Sequence, residues 1–255
     1  MVWIPATLVA LAMILPLVYL IVRTLGAGEE TWQLLFRWRT LVIILRSLIL
    51  VVTVTASSIA IALPLAWITT RTDLPLKRMW FIITSLPLVI PSFVGGLVVV
   101  AAFGPKGIFQ QLVSPLGIER LPEIYGLPGA FLTLTLLSYP YILLTLRAAI
   151  RRIDPSLEDA SRSLGKGRWE TFFKVIIPQL RPAIAGGGLL VALYTLSDFG
   201  AVSLLRFETF TWAIYLQYQT VFDRSVAAAL SLVLVIFAMG ILFFELMASG
   251  RSKYY

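Results

Sequence analysis

Six stretches of the chain are long, apolar and nearly free of charge, and they leave little choice of architecture. They run from Met1 to Val22, Ser47 to Thr70, Met79 to Pro105, Ile124 to Leu146, Pro182 to Leu205 and Val226 to Phe244. Each approaches or exceeds the ~20 residues that an α-helix needs to cross a bilayer core. No water is available there to satisfy a free N–H or C=O, so a spanning segment must close its hydrogen bonds within itself. The expected fold is therefore all-α: a polytopic membrane protein with six transmembrane helices, residues 1–255 forming one six-span domain. A cleavable leader is the rival reading of the first stretch. Its apolar part is longer than the roughly 7 to 15 residues of such a region, and no basic segment precedes it.

Composition enters where it closes off chemistry. Only 13% of the residues are charged, against about 25% in soluble domains. There is no cysteine and no histidine, which removes disulfides, thiolate sites, the commonest metal ligand and the usual general base. The nucleophile–base pairs of a membrane hydrolase cannot be built from what is left. The glycines around Lys166 read Leu-Gly-Lys-Gly-Arg-Trp and lack the spacing and hydroxyl of a phosphate-binding loop, so no ATP hydrolysis and no cofactor are expected in this chain. The net charge of +8 does not call for nucleic acid, because the basic residues flank apolar runs, as positive-inside bias requires.

Between the fourth and fifth stretches lies a polar, basic island, Asp154 to Pro182, too charged for hydrocarbon. Asp154 is suited to cap a helix, Pro155 to its first position, and Glu158 with Asp159 to the positive end of its dipole. Gly165 and Gly167 supply the backbone freedom that ends it. Trp169, Phe172, Phe173, Ile176 and Ile177 then recur at helical spacing, which predicts a second, amphipathic helix stopping near Pro178. With this loop on the cytoplasmic side, that side holds Arg71, Lys77, Arg78, Arg147, Arg151, Arg152, Arg162, Lys166, Arg168, Lys174, Arg181, Arg251 and Lys253. The other side keeps Arg23, Arg37, Arg39, Arg46, Lys106, Arg120, Arg206 and Arg224. The bias places both termini inside.

Asp159-Ala160-Ser161, three residues, Gly165, twelve residues and Pro178, preceded by Val175-Ile176-Ile177, resembles the EAA loop of membrane permease subunits in binding-protein-dependent ATP-binding-cassette importers. The family pattern has Glu at position 159, Ala at 161 and Leu at 177, so charge sign and small size are kept. The resemblance implies a type I importer transmembrane domain in a bacterial inner membrane, with a two-helix cytoplasmic coupling loop between spans 4 and 5. It implies two ATPase subunits that carry ATP and Mg, a second six-span unit (identical, homologous or fused), and a periplasmic or lipid-tethered binding protein. Residues implied in ATPase coupling are Leu157, Glu158, Asp159, Ala160, Ser161, Leu164, Gly165, Arg168, Trp169 and Pro178. Membrane lipid completes the surroundings.

Two spans carry further signals. Span 3 contains Leu-Pro-Leu-Val-Ile-Pro-Ser-Phe-Val-Gly-Gly, read either as a kinked helix with a close-packing face or as resembling the equivalent span of ferric-iron importers. In span 5, Gly186-Gly187-Gly188 suits a tightly packed interface. Asp198 is the acidic residue of that span and Tyr194 precedes it by one helical turn, so both are candidates for the translocation pathway. Hydration near the interface, or pairing with an arginine such as Arg46, are the structural alternatives for Asp198. Leu193 to Gln217 resembles ferric-iron permeases, and the whole chain looks like the first half of such a fused, twelve-span polypeptide. With oxygen donors preferred by a hard ferric ion, Asp198 is the candidate transient ligand of the passing metal, and Glu208 the candidate contact for the binding protein. Permeases for thiamine, molybdate, sulfate or polyamines remain alternative readings. An ion-coupled secondary carrier also uses broken helices and a lone carboxylate, but does not need such a docking loop.

The topology is testable directly, because the chain has no native thiol. A cysteine at Ser163 is expected to react only with reagent on the cytoplasmic side and one at Gln110 only from outside; reversed labelling would overturn the six-span arrangement.

Overall fold

The computed structural model describes residues 3–118, 120–220 and 224–249. Arg251 and Lys253, counted above toward the charge bias, lie outside the described residues. Helices follow one another as α1 (Trp3–Leu25), α2 (Glu29–Leu35), α3 (Trp38–Arg71), α4 (Lys77–Ser85), α5 (Ser92–Phe103), α6 (Ile108–Val113) and α7 (Leu127–Arg152). Then come α8 (Ser156–Ser163), α9 (Arg168–Thr171), α10 (Ile177–Ser197), α11 (Gly200–Leu204), α12 (Phe210–Thr220) and α13 (Ser225–Ser249). No strand occurs among the described residues. Six helical stretches are long and apolar enough to span: Trp3–Leu25, Trp38–Arg71, Ser92–Leu116, Leu127–Arg152, Arg168–Ser197 and Ser225–Phe243.

The bundle is organised on α7, whose Leu134, Ile142, Leu143, Leu146 and Ile150 are fully buried. They pack with Leu50 and Val54 of α3 and with Leu180 and Val191 of α10. In lipid, such contacts rest on close packing and interhelical hydrogen bonds, since the tails are as apolar as leucine. A Cβ on Gly187 would lie 2.5 Å from Thr145 Oγ1 and 3.1 Å from Ile142 Cα, so α10 and α7 touch through that glycine. Thr145 also donates to the Ala183 carbonyl at 3.3 Å. Gly186, by contrast, faces open space. The glycine triplet is an interface as expected, but one of its three members makes the closest approach. α1 packs chiefly on α13 and exposes nearly its whole apolar surface.

Three expectations need correcting. Span 3 is not one helix over Met79 to Pro105: Pro87 and Pro91 break it into α4, a 3₁₀ turn at Leu86–Val89 and α5, because each proline removes a donor and crowds the preceding turn. The close-packing reading of Gly95-Gly96 holds, with a Cβ on Gly95 falling 2.6 Å from Leu137 Cδ1 and one on Gly96 3.4 Å from Ala201 Cα. The amphipathic helix of the polar loop does not stop near Pro178 either. It runs from α9 through a π-helical turn at Phe172–Ile176 into α10. The Ile177 N–H reaches back to the Phe172 carbonyl, and the Gln179 side-chain amide donates to the Val175 carbonyl at 3.0 Å. The wide turn makes room for a proline ring that a regular turn would exclude. Finally, Gln110, expected to be accessible from outside, lies buried in a short helix, its Oε1 accepting the Leu121 N–H at 2.7 Å and its amide donating to the Ile118 carbonyl at 3.1 Å.

A thiol at Gln110 would therefore report burial, and the outside label belongs at Leu112, which is 64% exposed. For the packing, Gly187→Ala is expected to destabilise the bundle by about 1–3 kcal/mol, the usual cost of overfilling a close contact, while Gly186→Ala leaves it unchanged. Thermal unfolding in detergent checks this; equal midpoints for the two variants would refute the contact.

Candidate functional site

The polar island folds as a helical hairpin. The Asp154 carboxylate accepts the Ser156 N–H at 2.9 Å, and this bond holds its carboxyl below the usual range. The N–H groups of Glu158 and Asp159 donate to the Pro155 carbonyl at 3.0 and 3.2 Å, so α8 starts where the capping pattern placed it. Its far end closes as a Schellman motif: the Lys166 N–H bonds the Ser161 carbonyl at 3.3 Å and the Gly165 N–H bonds the Arg162 carbonyl at 2.9 Å. Gly165 has φ +80°, a conformation in which a side chain is strained. The chain then reverses into α9, and the Ser161 and Thr171 hydroxyls meet at 2.9 Å in a buried contact between the two helices.

Of the residues singled out in this loop, Leu157, Asp159, Ala160, Leu164, Gly165, Arg168 and Trp169 are exposed. Leu164 at 80% and Trp169 at 69% are apolar groups presented to the surroundings within a charged rim. Ser161 is buried and serves the hairpin itself; Glu158 and Pro178 are half-buried. The underside is fastened to α3 by aromatic contacts. Trp67 meets Phe172 edge-on at 5.0 Å, Phe172 meets Phe173 at 5.3 Å, and Trp169 stacks on Phe173 at 6.3 Å. A cleft of about 340 Å³ lies between Pro64 and Trp67 on one side and Arg162, Arg168 and Trp169 on the other.

Two arginines at this end were visible in the sequence only as positive charge. Arg71, the last residue of α3, donates to the carbonyls of Ile153 at 2.7 Å and Ile150 at 3.3 Å, at the end of α7. The same guanidinium lies 3.6 Å from the Glu158 carboxylate. Arg147 is buried in α7 with its guanidinium 3.6 Å above the Phe81 ring of α4, a cation–π contact. No motif or periodicity could have found either, since their partners lie on other helices.

At the opposite end of the bundle, Asp198 terminates α10 instead of lying within it. Its carboxylate is buried and accepts the N–H groups of Ala201 at 3.0 Å and Val202 at 3.4 Å, capping α11. Its backbone carbonyl takes the Thr211 hydroxyl at 2.6 Å. Tyr194, one turn earlier and half-buried, lies 5.6 Å from Tyr141. Phe199, Trp212 and Tyr215 form an aromatic ladder beside them, with centroids 4.8 to 6.0 Å apart; the sequence pattern did not single it out. Arg46 does not pair with Asp198. It bonds Glu208 at 3.0 Å, with Arg39 at 3.6 Å, at the edge of a cleft of about 220 Å³ that includes Thr40, Trp212 and Gln217. Among the described residues no group of three or more Asp or Glu is placed to hold a metal ion.

Residues 59–250 match the family described as the binding-protein-dependent transport system inner membrane component. The chain is 35% identical over 249 residues to the Fe(3+)-transport system permease protein FbpB 2 of Haemophilus influenzae, covering 97% of this chain and 46% of that one. It is 33% identical over 186 residues to the molybdenum transport system permease protein ModB of Escherichia coli, covering 68% and 78%. The chain thus spans about half the length of the ferric-transport relative. Among solved structures, a bacterial alginate ABC transporter matches with a TM-score of 0.79 at 17% identity, covering 98% of this chain and 94% of that one. The MetNI methionine ABC transporter matches with a TM-score of 0.65 at 17% identity, covering 89% and 100%. These two likenesses show the fold. The family match takes in all the spans from the middle of α3 onward, including the hairpin, and on that ground the chain belongs to the inner membrane components of binding-protein-dependent transport systems, as a multi-pass membrane protein.

Proposed function

We propose that the chain is a permease unit of an ATP-driven importer, with the α8–α9 hairpin on the cytoplasmic side as the element that an ATPase subunit grips. The observation that carries this is the hairpin itself: Leu157, Leu164 and Trp169 stand exposed on a rigid projection, held by the Ser161–Thr171 contact and a glycine-dependent turn. A large apolar group exposed on a polar loop calls for a partner surface. Two ATPase subunits hydrolyse ATP with Mg, and this chain supplies no catalytic group. A second six-span unit, identical, homologous or fused, completes the pathway. A periplasmic or lipid-tethered binding protein delivers the ligand at the opposite face, where the Glu208 cleft lies. Both termini are cytoplasmic. Transport proceeds by alternating access, hairpin displacement being converted into rearrangement of the packed spans.

Ferric iron is the favoured substrate. The match to a ferric-transport permease covers 97% of this chain, whereas that to the molybdenum permease covers 68%. The chain corresponds to the first half of such a permease. In this reading Asp198 and Tyr194 border the pathway and Asp198 offers a transient carboxylate to the cation; a single such ligand binds weakly, as release requires.

Three measurements test this. Gly165→Val puts a β-branched residue at positive φ, with strain of about 1–2 kcal/mol, and is expected to leave the protein in the membrane while abolishing most ATP-driven uptake; unchanged uptake counts against the assignment. Elemental analysis of the co-purified binding protein is expected to return iron, and molybdenum or excess sulfur would move the substrate accordingly. Asp198→Asn keeps a cap of equal quality while removing the charge, so lost iron uptake at normal folded yield supports the pathway role. Normal uptake would sink it.

A further inference from the structure

Glu158 and Asp159 are neighbours in sequence but face different ways. Asp159 is exposed, while Glu158 is turned inward, its side chain 19% exposed, toward an Arg71 that is equally sheltered. Arg71 is at the same time bonded to the Ile150 and Ile153 carbonyls. One guanidinium therefore joins three elements: it ends α3, neutralises the negative end of the α7 dipole and holds the acid in the first turn of α8. All three partners lie around one nitrogen, Nη2, which hydrogen-bonds the two carbonyls and stands 3.6 Å from Glu158 Oε1, itself without a hydrogen bond; a lysine ammonium would keep the charge on a stem of different length and shape. Half-burial protects the contact from the screening that makes exposed pairs worth little.

We infer that Arg71 is a positioning residue for energy coupling, fixing α8 to the ends of α3 and α7 so that displacement of the hairpin moves both core helices together. The inference rests on the hairpin being the ATPase-docking element. Without the clamp, α8 remains tied to the bundle through α9, by the Ser161–Thr171 contact and the aromatic contacts, and through the short link after Arg152. The hairpin could then follow the ATPase without pulling α3 or α7 along. Loss of the clamp should accordingly appear as wasted ATP turnover, with docking intact.

The test uses the full transporter in proteoliposomes, with the binding protein loaded with ferric ion, or with molybdate or sulfate if the ligand analysis above returns one of those. Glu158→Gln, Arg71→Lys, Arg71→Gln and the Glu158→Gln/Arg71→Gln pair are compared. The expected result is that Glu158→Gln and Arg71→Gln each lower ligand transported per ATP at least about fivefold, the lower end of ordinary coupling between sites. KM for ATP and the amount of co-purified ATPase stay at wild-type levels, and Arg71→Lys recovers part of the loss. The double variant should be no worse than the poorer single one, because the two residues act through one contact. Additive losses, unchanged coupling, or a loss matched by failure to assemble would each overturn the inference. Failure of the parent reading is distinguishable, because no ATPase would then accompany even the wild-type chain, and both would fall.

Discussion

Every feature of this chain answers to one constraint: in hydrocarbon a backbone N–H or C=O must find its partner within the protein. The helices meet it trivially along their lengths, and the informative places are where they do not. After α4 the chain breaks at two prolines, and the Tyr139 hydroxyl from α7 reaches across to the Thr84 carbonyl at 2.7 Å. At Pro178 the turn widens and the Gln179 amide covers the Val175 carbonyl. At Asp198 a carboxylate takes up the first free donors of α11. Each break is matched by a side chain from the adjoining turn or from a packed neighbour, which is why a chain with this much proline still forms a continuous bundle.

Much of this was legible in the sequence, and the boundary of legibility is physical. The spans follow from length and composition, and α8 follows from local chemistry: an acid that caps, a proline that begins, a glycine that ends. What escaped depends on distant partners or on compensation. Pro178 reads as a stop signal, yet the residues ahead of it adopt a π turn and the helix carries on. Asp198 reads as a carboxylate within a span, but the helix ends there and the carboxylate is engaged as a cap. Arg46, one of the alternative partners considered for Asp198, binds Glu208 instead, and nothing local distinguishes the two acids as its target. Arg71 and Arg147 were counted as charge and turned out to be contacts.

The two faces of the hairpin divide its labour. Its outer surface is left exposed, whereas its inner surface is spent on attachment through Ser161, Thr171, Phe172 and Glu158. α3 carries this attachment far. Its 34 residues extend about 50 Å, with Arg71 at one end and Arg46, bound to Glu208, near the other. The polar contacts at the two extremities of the bundle are therefore properties of one helix, interrupted internally by Pro64 alone.

The pairing of α1 with α13 has a consequence for biogenesis. These helices stand at opposite ends of the described chain, and α1 has no other substantial neighbour. A ribosome delivers α1 to the membrane long before α13 exists. Throughout that interval α1 lacks the helix it packs on here, and its composition is fitted to lipid, with no charged residue between Trp3 and Val22. The pairing of α1 with α13 is thus possible only once α13 has been inserted.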